Sequence, residues 1–346
     1  MQKALNEALD KGASGIARRL HGDAPRMLAE HAELREGFEQ RLYDRWKPAL
    51  DLYEMVLVSC TEVGSDLHRA LTDAAAPPSD HPTRLYALTL LHARACLVAD
   101  EVFALLRTGH AAGAQARWRT LHEIAVIAFV LGSGDNDLAQ RFVRHRQVER
   151  WKEARCYQEN CEALGREPFS EQQMDDFQAG YQTVVNQYED GYARDWGWSK
   201  PLFPSSKHQP NFDDLEKLAG LGHNKPFVRL SHRAIHSSAS GAIDIFALYG
   251  REKVLLAGAS NAHLSDPGHG SLIALSQATV AFLLHGPNQV EADNLLALRG
   301  IGLLVTDAGH AFGRCESDLA SESGGTIWTY QGTQDPPATD PEFGEA

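Results

Sequence analysis

Residues 124–131 read Ile-Ala-Val-Ile-Ala-Phe-Val-Leu, apolar on every side of a helix, and such a helix is stable only when protein surrounds it. A chain holding this segment must cover it on all sides. Strands are poor candidates for the cover, because alternating runs of Val, Ile, Thr and aromatics are few and none is joined by an Asn-Gly or Asp-Gly hairpin. Helical patterns recur instead. The expectation is an all-α fold, an antiparallel helical bundle with 124–131 in its central helix.

Residues 24–72, rich in Leu, Ala, Glu and Arg, read as one or two helices, and the prolines of 74–82 break the pattern. This divides the chain into an N-terminal helical extension and linker (1–82), a main helical domain (83–323) and a disordered, mobile C-terminal tail (324–346) with three prolines and no apolar period. Residues 85–106 form a helix stopped at Thr108-Gly109, and 111–131 another stopped at Gly132-Ser133-Gly134; the short connection makes them an antiparallel pair. Residues 137–164, carrying Arg141, Arg144, His145, Arg146 and Glu149, are expected to be amphipathic and outward-facing, with 170–188 in the same style. Residues 192–210, with Trp196, Trp198 and three prolines, read as an ordered aromatic cover. The small residues of 237–242 would let another backbone come close, and helices are expected at 271–284 and 291–308.

At 346 residues and 43% hydrophobic, the chain can bury a large core. Thirty-three basic against 46 acidic residues give a net charge of -13, which excludes coating nucleic acid through bulk charge but leaves room for RNA at a local site. Five cysteines form no CxxC pair, which points to a reducing, cytoplasmic setting without a zinc ribbon or disulfide framework. No apolar run approaches the roughly 20 residues of a membrane span, and none follows the first charge as in an export signal, so no membrane partner is expected.

One segment concentrates chemistry. Arg229, His232, Arg233 and His236 fall at i, i+3, i+4 and i+7, on one stripe of a helix, with Phe227, Ser231, Ala234, Ile235 and Ser238 on the opposite, packing stripe. Two imidazoles beside two guanidiniums can bind an anion, coordinate a metal with outside help, or form a wet surface. His232 and His236 have two-histidine metal spacing, but Arg233 between them opposes a cation unless Glu101 or Glu123 adds a carboxylate, so no metal and no cofactor is assigned. Arg119, His122 and Glu123 open the central helix as candidate substrate-binding residues; Arg119 and Glu123, at i, i+4, can equally be a structural pair. The cluster from His263 through Asp266 to His269, beside Pro267 and Gly268, reads as a turn capping the next helix. A Walker loop, a strand-to-helix GxGxxG and a Gly-x-Ser-x-Gly elbow are all missing from the sequence.

The runs around His92 and Arg94, Asp100 to Gly109, and Ala116 to Glu123 resemble a bacterial family catalogued only as a domain of unknown function (DUF5677-like), over roughly residues 40–285. Its pattern is an Arg-x-x-x-Glu helix followed by an aromatic-x-x-x-Ser-x-x-x-His segment. Phe227 and Ser231 fit; the pattern's histidine position is taken by Ile235, and the nearby histidines fall five residues after Ser231, at His236, or one after it, at His232. The resemblance implies an all-α fold and imports no activity. The spacing of Arg229 and His236 is also similar to the Arg-x4-6-His signature of HEPN-type ribonucleases, compact helical proteins that often dimerise. That similarity implies a metal-independent endoribonuclease, of the toxin or phage-defence kind. There a histidine moves the proton of a ribose 2′-hydroxyl while an arginine holds the phosphate. The alternative is a non-enzymatic helical module whose Arg/His face is structural or binds a partner protein.

Overall fold

A computed structural model describes residues 2–73, 83–205, 208–236, 257–284 and 292–322. Every regular element among them is helical: α1 (Gln2–Asp73), α2 (Thr83–Arg107), α3 (Ala111–Ser133), α4 (Asn136–Asn160), α5 (Glu171–Gln187), α6 (Phe212–Leu218), α7 (Lys225–Ile235), α8 (Ser265–Leu284) and α9 (Ala292–Glu322), with short 3-10 turns at Gly197–Leu202 and Gly222–Asn224. The linker 74–82, the small-residue run 237–242 with Ser238, and the tail 324–346 lie outside the described residues.

The apolar run chosen from the sequence is the centre. In α3, Ile124 through Ala128, Val130 and Leu131 are all buried and Phe129 is half-buried. Its cover comes from α2 and α8, with α6 and α7 against its N-terminal half. The α2–α3 pair is antiparallel, joined through Gly109, whose φ of 76° suits glycine; a Cβ there would stand 2.6 Å from the Ser260 carbonyl oxygen.

The linker does not separate two cores. Leu42, Trp46, Leu50, Tyr53, Val56 and Cys60 of α1 bury in the same cluster as α2, α3, α8 and α9. Trp46 donates from Nε1 to the Asn261 carbonyl at 3.0 Å, and Tyr53 donates its hydroxyl to the Ala99 carbonyl at 2.9 Å. Pro48 faces solvent, so the helix is held across the hydrogen bond it lacks by the packing of Trp46, Ala49 and Leu50. The first half of α1 is almost wholly exposed, Leu5, Leu9, Ile16 and Leu20 included.

Three boundaries differ from expectation, two of them for packing reasons. α8 starts at Ser265, six residues before 271, so Asp266, Gly268, His269 and Gly270 lie in a helix rather than a loop. Pro267 is tolerated in that first turn, where its missing N–H has no intrahelical partner to lose. Gly268 and Gly270 are notches: a Cβ would meet the Phe312 ring at 2.5 Å and Trp118 Nε1 at 2.8 Å. α9 runs on to Glu322 because Ala311, Phe312, Cys315 and Leu319 continue its buried face. α1 reaches back to Gln2 rather than beginning at 24. By length and apolarity alone α9 could cross a membrane, a test that core helices also pass. Within its most apolar window 28% of residues are buried, Ile301, Val305 and Ala308 among them, while Leu295, Leu296 and Leu303 are exposed.

α4 is outward-facing only in part. Arg141 and His145, expected at the surface, are buried because they hold the aromatic loop. Arg141 donates from Nε to the Trp198 carbonyl at 3.0 Å, Tyr192 donates its hydroxyl to the Arg141 carbonyl at 2.7 Å, and His145 Nε2 reaches the Tyr192 carbonyl at 3.1 Å. Gly197 is required here, since a Cβ would lie 2.1 Å from the Tyr192 carbonyl oxygen. The ordered loop then lays Trp196 on Phe212, ring centroids 5.6 Å apart, and so fixes the start of α6.

Candidate functional site

α7 begins after a 3-10 turn with Pro226 in its first turn, where proline fits a helix start, and ends at Ile235, the His236 N–H bonding back to the His232 carbonyl at 2.8 Å. It packs on α3 through Val228 and Ser231, with the Ser231 hydroxyl bonded to the Val228 carbonyl at 2.7 Å. Of the residues expected on the packing stripe, Ser231 is buried, whereas Phe227 and Ile235 remain 39% and 47% exposed. The buried face is thus turned toward Val228. Phe227 still meets Trp118 edge-on at 6.4 Å.

Arg229, His232 and His236 consequently face solvent. The two imidazoles stand 5.7 Å apart, edge to face. Among the described residues no acidic side chain pairs with any of these three, and no cluster of three metal-ligating side chains forms. Glu101 and Glu123, the carboxylates that a two-histidine metal site would require, are paired with Arg117 and Arg119. The Arg233 side chain lies outside the described residues.

Arg119, His122 and Glu123 are placed differently. His122, 1% exposed, bonds through Nε2 to the Glu216 carboxylate of α6 at 2.8 Å, with Glu216 only 2% exposed. Trp118 stacks on the imidazole at 5.4 Å and Phe212 meets it edge-on at 6.1 Å. Burial holds the His122 pKa below the ordinary histidine value, more strongly than Glu216 raises it, and Arg119 and His223 add to the lowering. Its neutral ring can donate Nε2–H to the carboxylate. Arg119 bonds Glu123 at 3.2 Å and lies 4.3 Å over the Phe212 ring, so the pair ties α3 to α6 through an aromatic face. Burial raises the Glu123 pKa, against the pull of Arg119 and Arg94. Among the described residues no hydrogen bond, ion pair or ring contact joins this trio to Arg229, His232 or His236.

His122, alone of the trio, borders a cleft that periodicity along the sequence did not assemble. It has a volume of about 110 Å³ and is walled by Gln115, Trp118 and His122 of α3, by the Asp266, His269, Ile273 and Gln277 side of α8, and by Asn224 and Phe227 at the start of α7. Gln115 is 2% exposed, and the Gln277 side-chain oxygen is buried without a hydrogen-bond partner among the described residues. Burial raises the Asp266 pKa against the opposing pull of His263, though the side chain reaches the solvent edge; burial also lowers that of His269, with His310 adding to it. The sequence signal was present: 115, 118 and 122, and 266, 269, 270, 273 and 277, are each one helix face. It was missed because 263–270 read as a loop.

A larger hollow, about 610 Å³, lies between α1 and α9 beside Phe38, Asn261 and Cys315. Its Arg45 and Glu322 bind each other at 2.5 and 3.0 Å, and burial pushes the Cys315 thiol above its usual pKa, so nothing there is poised as a nucleophile.

In class, then, the chain is an all-α antiparallel bundle with a polar cleft on one side of α7 and a cationic stripe on the other. Residues 85–248 match the model of a family described as a family of unknown function (DUF5677), which is the resemblance carried by the Arg119–Glu123 and Phe227–Ser231 segments. The match brings no activity with it. No curated protein and no solved structure matches the chain.

Proposed function

We propose that the α7 stripe handles phosphate and that the protein is a metal-independent, HEPN-style endoribonuclease acting on RNA at this local site, in a toxin or phage-defence role in the cytoplasm. The reading rests on the exposure of Arg229, His232 and His236 together, imidazoles 5.7 Å apart and unpaired with acid among the described residues, in a chain of net charge -13. A cationic face kept free in so acidic a chain suits an anionic ligand. In the reaction one imidazole takes the proton of a ribose 2′-hydroxyl, whose oxygen attacks phosphorus. The bond from phosphorus to the 5′-oxygen breaks, and the other imidazole, protonated, gives its proton to that leaving oxygen. The products are a 2′,3′-cyclic phosphate and a 5′-hydroxyl. Arg229 holds the non-bridging oxygens as charge builds on them.

A single helix face is convex, so the reading includes a homodimer that encloses RNA between two stripes. Leu5, Leu9, Ile16 and Leu20, exposed on α1 at steps of four and seven residues, would supply its apolar seam. Incubation of the full chain with total RNA in EDTA tests the proposal: cleavage to cyclic-phosphate ends is expected, with loss in Arg229→Ala and His236→Ala. Intact RNA under all conditions would overturn it. One observation favours a second reading, a non-enzymatic module: neither of the two hollows described above is lined by Arg229, His232 or His236. On that reading the stripe docks an acidic protein, and the wild-type chain binds it without cutting RNA.

A further inference from the structure

The cleft between α3, α8 and the start of α7 is chemically unlike the α7 stripe and stands independently of it. We infer that it is a binding site for a planar nitrogen heterocycle of nucleobase size, gripped by its ring faces and by an amide-like edge that both donates and accepts hydrogen bonds.

Size sets the first limit. A cavity of about 150 Å³ encloses a benzene ring, so about 110 Å³ open at one side takes in one ring of a heterocycle, with the rest lying at the mouth, and holds no attached sugar phosphate. Shape sets the second. Trp118, stacked on His122 at one face, meets Phe227 edge to face at 6.4 Å, and with Ile273 these rings give the cleft an aromatic and aliphatic lining. The polar groups set the third. Gln115 is almost fully buried, and the Gln277 side-chain oxygen is buried with no partner among the described residues, so a ligand N–H would complete a bond that those residues leave unmade. Glutamine and asparagine amides match the donor–acceptor edge of a base such as adenine. Charge sets the fourth. Among the described residues no lysine or arginine lines the cleft while Asp266 stands at its edge, which disfavours a phosphate and suits a neutral or protonated ring.

The test uses the purified full chain titrated calorimetrically with adenine, cytosine, uracil and hypoxanthine in turn, with toluene and inorganic phosphate as controls. At least one heterocycle should bind with a Kd of about 1 mM or tighter, and neither control should bind. Gln277→Leu should weaken that binding at least about tenfold, the worth of one hydrogen bond of this kind, while melting at the same temperature or higher, since it removes an unpartnered polar atom. If that variant proves too unstable to titrate, Gln277→Asn, which withdraws the amide by one methylene, should show the same weakening. Arg229→Ala, which disables the stripe, should bind the heterocycle as wild type does. The inference is overturned if none of the four binds, if toluene binds as well as they do, if both Gln277 variants bind unchanged, or if Arg229→Ala abolishes binding.

Discussion

His122 on α3 and the pair His232/His236, on α7 and at its C-terminal cap, belong to packed helices, yet they meet opposite fates. His122 is sealed under Trp118 and Phe212 and spends its Nε2 on a buried carboxylate. His232 and His236 face solvent with no acid beside them among the described residues. The difference comes from the packing partner. Phe212 and Glu216 of α6 close over His122 on α3, whereas α7 gives its buried side to Val228 and Ser231 and leaves the other side bare. A buried, bonded histidine holds a structure together; an exposed, unbonded one beside an arginine is available to a ligand.

The sharpest way to break this contrast is at Trp118, the ring shared by His122, Phe227 and Gly270. Trp118→Ala should cost about 3–5 kcal/mol in a denaturant titration; a loss of a few tenths would mean that the buried side is loose and the contrast false. The next effect is in pH. His92, buried against Phe282 and bonded to Thr279 at 3.2 Å, has its pKa lowered by burial to about 4. A histidine depressed in the folded state binds fewer protons than in the unfolded chain. Its contribution is therefore complete above about 6.5 and is lost as pH falls from there toward 4, by up to about 3 kcal/mol. Wild type minus His92→Gln should show that loss in urea unfolding over this window, and parallel curves would place His92 outside the buried class. Glu216→Ala, which leaves the His122 N–H without its acceptor, should cost about 1–3 kcal/mol. The smallest effect belongs to the stripe: Arg229→Ala and His232→Ala should each stay within about 0.5 kcal/mol of wild type. A loss of several kcal/mol in either would show the stripe to be structural.

Much of the fold could be read from residues in sequence. The apolar run 124–131 announced a surrounded helix, and Thr108-Gly109 a reversal, because both signals are local. What resisted was set by partners distant in the chain. Arg141 and His145 look like surface residues until the Trp198 and Tyr192 carbonyls arrive to bond them, some fifty residues on. Gly268 and Gly270 look like loop glycines until Phe312 and Trp118 fill the notches that they leave. The site divides likewise. The exposure of Arg229 and His232 follows from their spacing on α7 and the Arg119–Glu123 pair from its i, i+4 separation, whereas His236 sits in extended backbone just past the end of α7, where helical spacing does not apply. The burial of His122 depends on Glu216, ninety-four residues away, and periodicity within α3 carries no sign of it.

The central claim, that α7 presents chemistry while α3 provides scaffold, is tested most directly by measuring melting temperature and RNA cleavage in parallel on His236→Ala and His122→Ala. The account predicts that His236→Ala melts with wild type and cuts RNA about 10²–10⁴ times more slowly, while His122→Ala melts clearly lower and, when held well below its transition, still cuts. A His236→Ala protein that cleaves at the wild-type rate, or a wild-type protein that never cleaves, would contradict it.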